Sequence, residues 1–244
     1  MNQVGSITEI WRYPVASVGG ERVGVIRIAR SGAPGDRKFV LLDRLTGTPA
    51  APEKDQRWRP ALHLTARDID GDAPLISFPD GTVESISDPS INTMLSDYFG
   101  FGVVVGKLGD GSANGFPGAE HRHPHFPVHI LTMGALRRLA RILPASDIDA
   151  RRFRPTLLID GPDDDFVEAS WLRHRLHIGS IGLRVEEETK RCGITLISQP
   201  GLGEDPEILR AILRHNRRSL GVYCSVMSEG IAVVGDMVSL DECS

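Results

Sequence analysis

The stretch from Val222 to Leu240, VYCSVMSEGIAVVGDMVSL, gives the clearest indication of the fold. Two apolar runs, Val222 to Met227 and Ile231 to Leu240, flank a short polar turn. Runs rich in β-branched residues and bounded by turn residues are typical of β-strands. The stretch therefore predicts two strands that close the chain.

Strand-like runs recur upstream of this stretch, with few helices between them. The strands are predicted at 7–15, 23–29, 38–43, 128–131, 156–160, 175–178, 182–187 and 193–197. Helices are predicted from Asp88 to Gly100, from Thr132 to Leu143, and after Asp205. Many strands and few helices favour a curved or barrel-like sheet over a doubly wound one.

A glycine- and proline-rich segment from Gly106 to Pro127 predicts a long loop between two halves. It contains His121, His123 and His125, which alternate as metal ligands sometimes do. Histidines in such a loop are also commonly exposed to solvent. We expect this loop to line the entrance for a substrate.

Composition limits the classes of partner. The chain has 244 residues, with 28 Lys and Arg against 32 Asp and Glu, a net charge of -4. This balance gives no general attraction to nucleic acid or to acidic membranes. We expect a cytoplasmic protein, because no signal peptide or membrane-spanning apolar run is evident, and therefore free thiols at Cys192, Cys224 and Cys243.

Cys192 is the first candidate for chemistry. It follows Lys190 and Arg191, at the junction of a strand-like run and a turn. Nearby positive charge favours the thiolate, which is the nucleophilic and metal-binding form of cysteine. The alternative is an inert, buried thiol, since free cysteine is among the most buried residue types.

Two arginine-containing motifs are the next candidates. In Arg152-Phe153-Arg154 the arginines alternate, so an extended backbone would place both on one face, suited to an oxyanion. The alternative is ion pairing with the acidic run 163–165. In Gly35-Asp36-Arg37 an arginine follows a turn, which is also consistent with a simple surface charge. Glu168 and Trp171 could form an acid and an aromatic wall, or a helix-start charge and a core anchor.

These pieces occur in a fixed order along nearly the whole chain: Ile10-Trp11-Arg12-Tyr13-Pro14-Val15, Gly35-Asp36-Arg37, Arg152-Phe153-Arg154-Pro155, Phe166-Val167-Glu168 with Trp171, Arg191-Cys192, and 231–238. Together they resemble the MOSC family, named after the C-terminal domain of molybdenum-cofactor sulfurases. The resemblance implies a mainly β (α+β) fold. A MOSC β-barrel over 128–244 with a few peripheral helices would be joined by the linker 106–127 to an N-terminal β-rich subdomain over 1–105.

The resemblance also implies an association with the molybdenum cofactor, a pterin dithiolene that carries a phosphate. In the reductase branch, the cysteine of the Arg-Cys motif ligates molybdenum, which implies that role for Cys192. The cofactor contacts implied for this chain are Ser17, Arg37, Arg152, Arg154 and Thr156.

This chain departs from the family pattern at three places. Cofactor-binding relatives have Tyr-Pro-Val-Lys-Ser, whereas Ala16 precedes Ser17 here. Thr156 replaces an asparagine, and His125-Phe126-Pro127 replaces small polar contacts. A missing charge-assisted contact is worth roughly 1.5–3 kcal/mol, or about tenfold to a hundredfold in affinity.

Three functions stay open. The first is a molybdenum-dependent oxidoreductase acting on a small molecule; because no ferredoxin-like cysteine set is present, a separate electron-transfer protein would be needed. The second is a cofactor-independent enzyme of the sulfur-transfer or lyase type, in which Cys192 is a nucleophile or persulfide acting on a small anionic substrate, with a sulfur-donor protein as partner. The third is a carrier that binds without turnover.

Overall fold

The computed structural model describes residues 2–68, 73–109, 116–120 and 126–241. The described residues form three α-helices and seventeen strands, several of them short. In chain order the elements are β1 (Asn2–Arg12), β2 (Val15–Ala16), β3 (Glu21–Val23), β4 (Val25–Ile28), β5 (Phe39–Asp43), β6 (Thr65–Arg67), β7 (Leu75–Ser77), β8 (Val83–Ser85), α1 (Ile91–Phe99), β9 (Val103–Leu108), β10 (Gly118–Ala119), β11 (Val128–Thr132), α2 (Met133–Ile142), β12 (Leu157–Asp160), β13 (Arg175–Ile178), β14 (Ile181–Lys190), α3 (Pro206–Asn216), β15 (Ser219–Ser228), β16 (Gly230–Val233) and β17 (Met237–Leu240).

The largest sheet closes on itself as a barrel. Its strands run in the order β12-β11-β15-β14-β13-β17-β1, and β1 pairs back onto β12. All neighbouring strands in this ring are antiparallel except β11 and β12. Closure removes free sheet edges and encloses an apolar core that includes Ile10, Leu157 and Val222. The predicted mainly β fold with a barrel is confirmed.

The first strand, β1, is N-terminal in sequence but is part of the barrel, which the C-terminal half otherwise forms. Ile10 pairs with Leu157 of β12, and Ser6 pairs with Met237 of β17. The strand β4 likewise pairs with β16. Strand pairing therefore joins residues on both sides of the predicted division between 1–105 and 128–244. The division into two domains stays a prediction.

The rest of the N-terminal half has a core of its own. It comprises a four-stranded sheet, β10-β9-β5-β2, a meander of β6, β7 and β8, the helix α1, and a 3₁₀ segment at Gln56–His63. Trp58 lies at its centre and meets Phe99 and Phe101 edge to face, with ring centroids 5.1 and 4.9 Å away. Such aromatic pairs add to the stability gained from burial.

Two of the three described α-helices, α2 and α3, begin where a short polar side chain accepts a hydrogen bond from one of the first backbone amides. Thr132 accepts a hydrogen bond from the Ala135 amide at the start of α2, and Asp205 does so from Glu207 at the start of α3. Both caps confirm the predictions. The helix α1 begins at Ile91, three residues after Asp88, whose carboxylate instead accepts the Ser90 amide in a turn. Gly100, with φ 74°, ends it as predicted.

Two backbone predictions near the site are wrong. The segment 193–197 is not a strand, because Gly193–Leu196 form a 3₁₀ turn in which the Thr195 amide donates to the Cys192 carbonyl. Arg152-Phe153-Arg154 is not extended. Ala150–Arg152 form a 3₁₀ turn capped by Asp149, which accepts the Arg151 amide at 2.8 Å. Because this cap stabilises a turn, the backbone is not extended as the alternation of the two arginines predicted.

No helix within the described ranges is long and apolar enough to cross a membrane.

Candidate functional site

Tyr13 lies where β1 leaves the barrel, and two arginines stack on its ring. The guanidinium carbon of Arg154 is 4.2 Å from the ring centroid, and that of Arg37 is 5.0 Å from it. Arg154 follows the Asp149-capped turn in the barrel half, and Arg37 precedes β5. The sequence motifs Gly35-Asp36-Arg37 and Arg152-Phe153-Arg154 thus meet at Tyr13.

The backbone at these motifs is in the left-handed region. The φ angles are 49° at Arg37, 55° at Arg154 and 65° at Ser17. Residues other than glycine rarely adopt this conformation, and it commonly marks functional sites. The conformation turns Arg154 away from the direction that Arg152 takes.

Asp36 ties Arg37 to Tyr13. Its carboxylate pairs with the Arg37 guanidinium and accepts the Tyr13 backbone amide at 2.6 Å. Burial opposes the charge of Arg37, but the Asp36 carboxylate raises its pKa. The second Nη of Arg37 donates to the Arg154 carbonyl at 3.0 Å. The two arginines are therefore held in a fixed relation.

His129 was not identified from the sequence, although a histidine within the apolar strand VHIL is a signal. It is buried, and burial together with Arg191 holds its pKa well below the usual range. Its Nδ1 lies 3.1 Å from the Arg154 carbonyl, and its Nε2 lies 3.3 Å from Nη1 of Arg191. Because Arg191 can only donate, His129 is neutral, with its proton on Nδ1. This ring links Arg154 to Arg191.

Arg191 is held against the barrel and immediately precedes Cys192. Its guanidinium donates to the carbonyls of Phe153 at 2.6 Å and Leu220 at 3.2 Å. Arg218 in turn donates from Nε to the Arg191 carbonyl at 2.7 Å. The peptide that carries Cys192 is thus fixed from both sides, while the Cys192 side chain stays half-buried.

The cluster formed by Tyr13, Arg37, His129, Arg154 and Arg191, which we call the arginine cluster, contains more positive than negative charge. Asp36 balances Arg37, but within the described ranges neither Arg154 nor Arg191 forms an ion pair with a carboxylate. Burial lowers the pKa of both, that of Arg154 to about 10. An arginine side chain does not lose its proton in proteins, so both carry a positive charge. Among the residues that the structure describes, Nη2 of Arg154 and Nε of Arg191 are buried and have no hydrogen-bond partner. Such groups are costly unless a ligand or water satisfies them.

The other three residues predicted to contact the cofactor form hydrogen bonds within the protein. Arg152 is buried and donates to backbone carbonyls, including that of Gly203 at 2.7 Å. Thr156 is buried, and its hydroxyl accepts the His129 amide at 3.2 Å. The Ser17 hydroxyl donates to the Ala50 carbonyl at 3.2 Å. The acidic run does not pair with Arg152 or Arg154 either, since Asp164 pairs with Arg137 and Arg141.

Glu168 and Trp171 stabilise the barrel. Trp171 is buried in the barrel core, which agrees with the second of its two predicted roles, that of a core residue. Glu168 is buried and accepts hydrogen bonds from the amide and hydroxyl of Thr132 at 3.0 and 2.9 Å. Burial raises its pKa to about 6. It supports the start of α2, away from the arginine cluster.

Metal binding by side chains alone has no basis in the ranges that the structure describes, where no three His, Cys, Asp or Glu residues come together. His121, His123 and His125 lie outside the described residues. Cys224 is fully buried in the barrel, which raises the pKa of its thiol. Cys192 is thus the more accessible of the two described thiols, and it adjoins a cationic cluster able to hold an anion.

Comparison with known proteins agrees with this architecture. The structure of the YuaD protein from Bacillus subtilis aligns over 99% of this chain and 97% of its own, with 12% identity and a TM-score of 0.55, which shows a shared fold. The structure of YiiM from Geobacillus stearothermophilus aligns over 48% of this chain and 55% of its own, with 19% identity and a TM-score of 0.38. Among curated protein sequences there is no significant match.

Family models cover both halves of the chain. The MOSC N-terminal beta barrel domain matches residues 4–93, and the MOSC domain matches residues 117–239. The matched ranges include Tyr13 and Arg37 in the first half, and His129, Arg154, Arg191 and Cys192 in the second. The chain belongs to the MOSC domain family.

Proposed function

We propose that the arginine cluster and Cys192 bind the molybdenum cofactor and that the protein is an oxidoreductase acting on a small molecule. The observation that carries the proposal is a pair of guanidinium groups, that of half-buried Arg154 and that of buried Arg191, that no carboxylate balances within the described ranges. An unpaired buried charge costs several kcal/mol. A phosphate-bearing ligand would remove that cost by accepting hydrogen bonds from both arginines.

The residues present fit such a group. The unpartnered Nε of Arg191 offers a buried donor next to Cys192, whose thiolate is a soft ligand for a metal. A single cysteine holds a metal poorly, so the metal would have to arrive with ligands of its own. A metal held by a pterin dithiolene meets that requirement.

Each residue then has a defined part. Arg37 and Arg154, fixed on Tyr13, would bind the anionic groups of the cofactor. Arg191 would bind it next to the metal that Cys192 holds. His129 would orient Arg154 and Arg191. When bound, the cofactor would supply a centre for two-electron oxidation or reduction, and electrons would come from a separate protein.

The test is the metal and pterin content of protein purified from a host that makes the cofactor. We expect near-stoichiometric molybdenum in the wild type and a loss of most of it in Cys192→Ser. Cys224→Ala is the matched control, because that thiol is buried elsewhere in the barrel, and it should retain the metal. A wild-type protein without molybdenum or pterin would contradict the proposal.

A second candidate is a cofactor-independent reaction at Cys192, as nucleophile or persulfide. Two observations favour it: the hydroxyl groups of Ser17 and Thr156 are used within the protein, and Ala16 supplies no charge. The cluster would then bind a small anionic substrate. Intact-mass measurement should show a sulfur or acyl adduct that a thiol removes and that is absent from Cys192→Ser. An unmodified mass after incubation with persulfide donors, whose outer sulfur would pass to Cys192 as the donor thiol leaves, and with acyl donors would count against it.

A further inference from the structure

A cavity lies between the two halves of the chain, and Arg154 is one of the residues that line it. It has a volume of about 200 Å³, and neither Cys192 nor Arg37 lines it. The N-terminal half contributes Gly19, Gly20, Leu62 and Thr65, and the barrel half contributes Arg151, Arg154, Gln199 and Pro200; Trp11 and Tyr13 complete it.

Three residues that line this cavity have a buried polar atom that no described part of the chain hydrogen-bonds. These atoms are the hydroxyl of Tyr13, Nη2 of Arg154 and Nε2 of Gln199. Tyr13 is 2% exposed and Gln199 is 8% exposed. A folded protein rarely leaves buried polar groups unsatisfied, so three around one cavity require an explanation.

The chemistry of these atoms defines the class of ligand. The guanidinium and amide nitrogens can only donate hydrogen bonds, and the Tyr13 hydroxyl can donate as well. Burial raises the pKa of Tyr13, so its hydroxyl keeps its proton. Arg154 adds a positive charge that no carboxylate balances within the described ranges. Donors with a net positive charge match a ligand that only accepts, which is an oxyanion.

The walls limit the size of the ligand. The rings of Trp11 and Tyr13 stack on each other, with their centroids 6.2 Å apart and their planes within 16° of parallel, and together they form one aromatic wall. Gly20 keeps this surface open, since a Cβ there would lie 2.4 Å from the Tyr13 ring. Arg151 pairs with Asp149 and donates to the Pro200 carbonyl at 3.1 Å, so it fixes the opposite wall.

We propose that this cavity is a binding site for a small oxyanion, either an inorganic ion or the carboxylate of a small organic molecule. The site is distinct from Cys192 and does not depend on the proposed cofactor. Arg154 belongs to both the cavity and the arginine cluster. An anion bound in the cavity would therefore lower the positive electrostatic potential at the cluster.

The experiment is calorimetric titration of the purified protein with sulfate and with benzoate, using benzamide as the uncharged analogue. We expect saturable binding of an oxyanion and none of benzamide. Tighter binding of benzoate would indicate an organic carboxylate, and tighter binding of sulfate an inorganic ion. Tyr13→Phe and Gln199→Leu should each weaken binding by about tenfold, the typical effect of one lost hydrogen bond to an anion.

Two controls separate this site from the other parts of the protein. Tyr98→Phe removes a hydroxyl that donates to the Pro60 carbonyl at 3.1 Å away from the cavity, and it should leave binding unchanged. Cys192→Ser should also bind normally, whether or not the wild type contains molybdenum. Binding that is insensitive to both Tyr13→Phe and Gln199→Leu, or no binding of either oxyanion, would overturn the proposal and leave the cavity to water.

Discussion

Arg152 and Arg154 are separated by one residue, yet they have opposite environments. Arg152 donates to four backbone carbonyls, those of Asp147, Thr195, Ile197 and Gly203, at 3.1, 3.4, 3.5 and 2.7 Å. Arg154 stacks on Tyr13, and its buried Nη2 has no acceptor within the described ranges. A buried cation whose donors are satisfied by the protein stabilises the fold. One whose donors are left free is suited to a ligand.

Replacing Arg152 should have the largest effect on stability. Arg152→Met would leave the four carbonyls without their donor, including two in the turn that follows Cys192. We expect a loss of about 3–5 kcal/mol in the free energy of unfolding, measured by urea denaturation. Arg151→Met is the control, since its half-exposed pair with Asp149 is worth at most about 1 kcal/mol. Equal losses of unfolding free energy in Arg152→Met and Arg151→Met would contradict the structural role of Arg152.

Glu168 extends the comparison to a buried anion. Its pKa is about 6 in the fold against 4.5 normally, because burial favours the neutral form. The folded state therefore binds the proton more tightly than the unfolded state does. The resulting stability is fully present below pH 4.5 and is lost as the pH rises through about 6, a change of about 2 kcal/mol.

Urea denaturation between pH 4 and pH 8 measures this change, and Glu168→Gln should remove it. Glu188→Gln serves as a control of opposite sign, because Lys190 and Ser219 lower the pKa of Glu188. Its contribution is present at higher pH and is lost as the pH falls. A pH dependence that survives in Glu168→Gln would show that another group is responsible.

Replacing Arg154 should have the smallest effect on stability. Arg154→Met removes a half-buried charge that no carboxylate of the described residues balances, and methionine can still pack on Tyr13. We expect the free energy of unfolding of the ligand-free protein to change by less than about 1 kcal/mol, or to rise. Binding of benzoate or sulfate should be lost in the same variant. A destabilisation as large as that of Arg152→Met would show that Arg154 is structural.

Part of the site was predictable because it rests on local motifs. Arg37, Arg154 and Cys192 were identified from short sequence patterns, and the structure places Arg37 and Arg154 on one ring and Cys192 beside Arg191. His129 and Gln199 were not identified, because their importance depends on neighbours that are distant in sequence. Arg152 had the same signal as Arg154, and only its carbonyl partners distinguish it.

The sequence by itself determined the strand-rich character, the caps of α2 and α3, and the end of α1 at Gly100. These features depend on nearest neighbours in the chain, where a side chain meets an amide two or three residues away. Tertiary structure decided that β1 completes the barrel, that Arg152 and Arg154 diverge, and that Tyr13 carries two arginines. These depend on burial and on hydrogen-bond partners from distant segments, which no local pattern specifies.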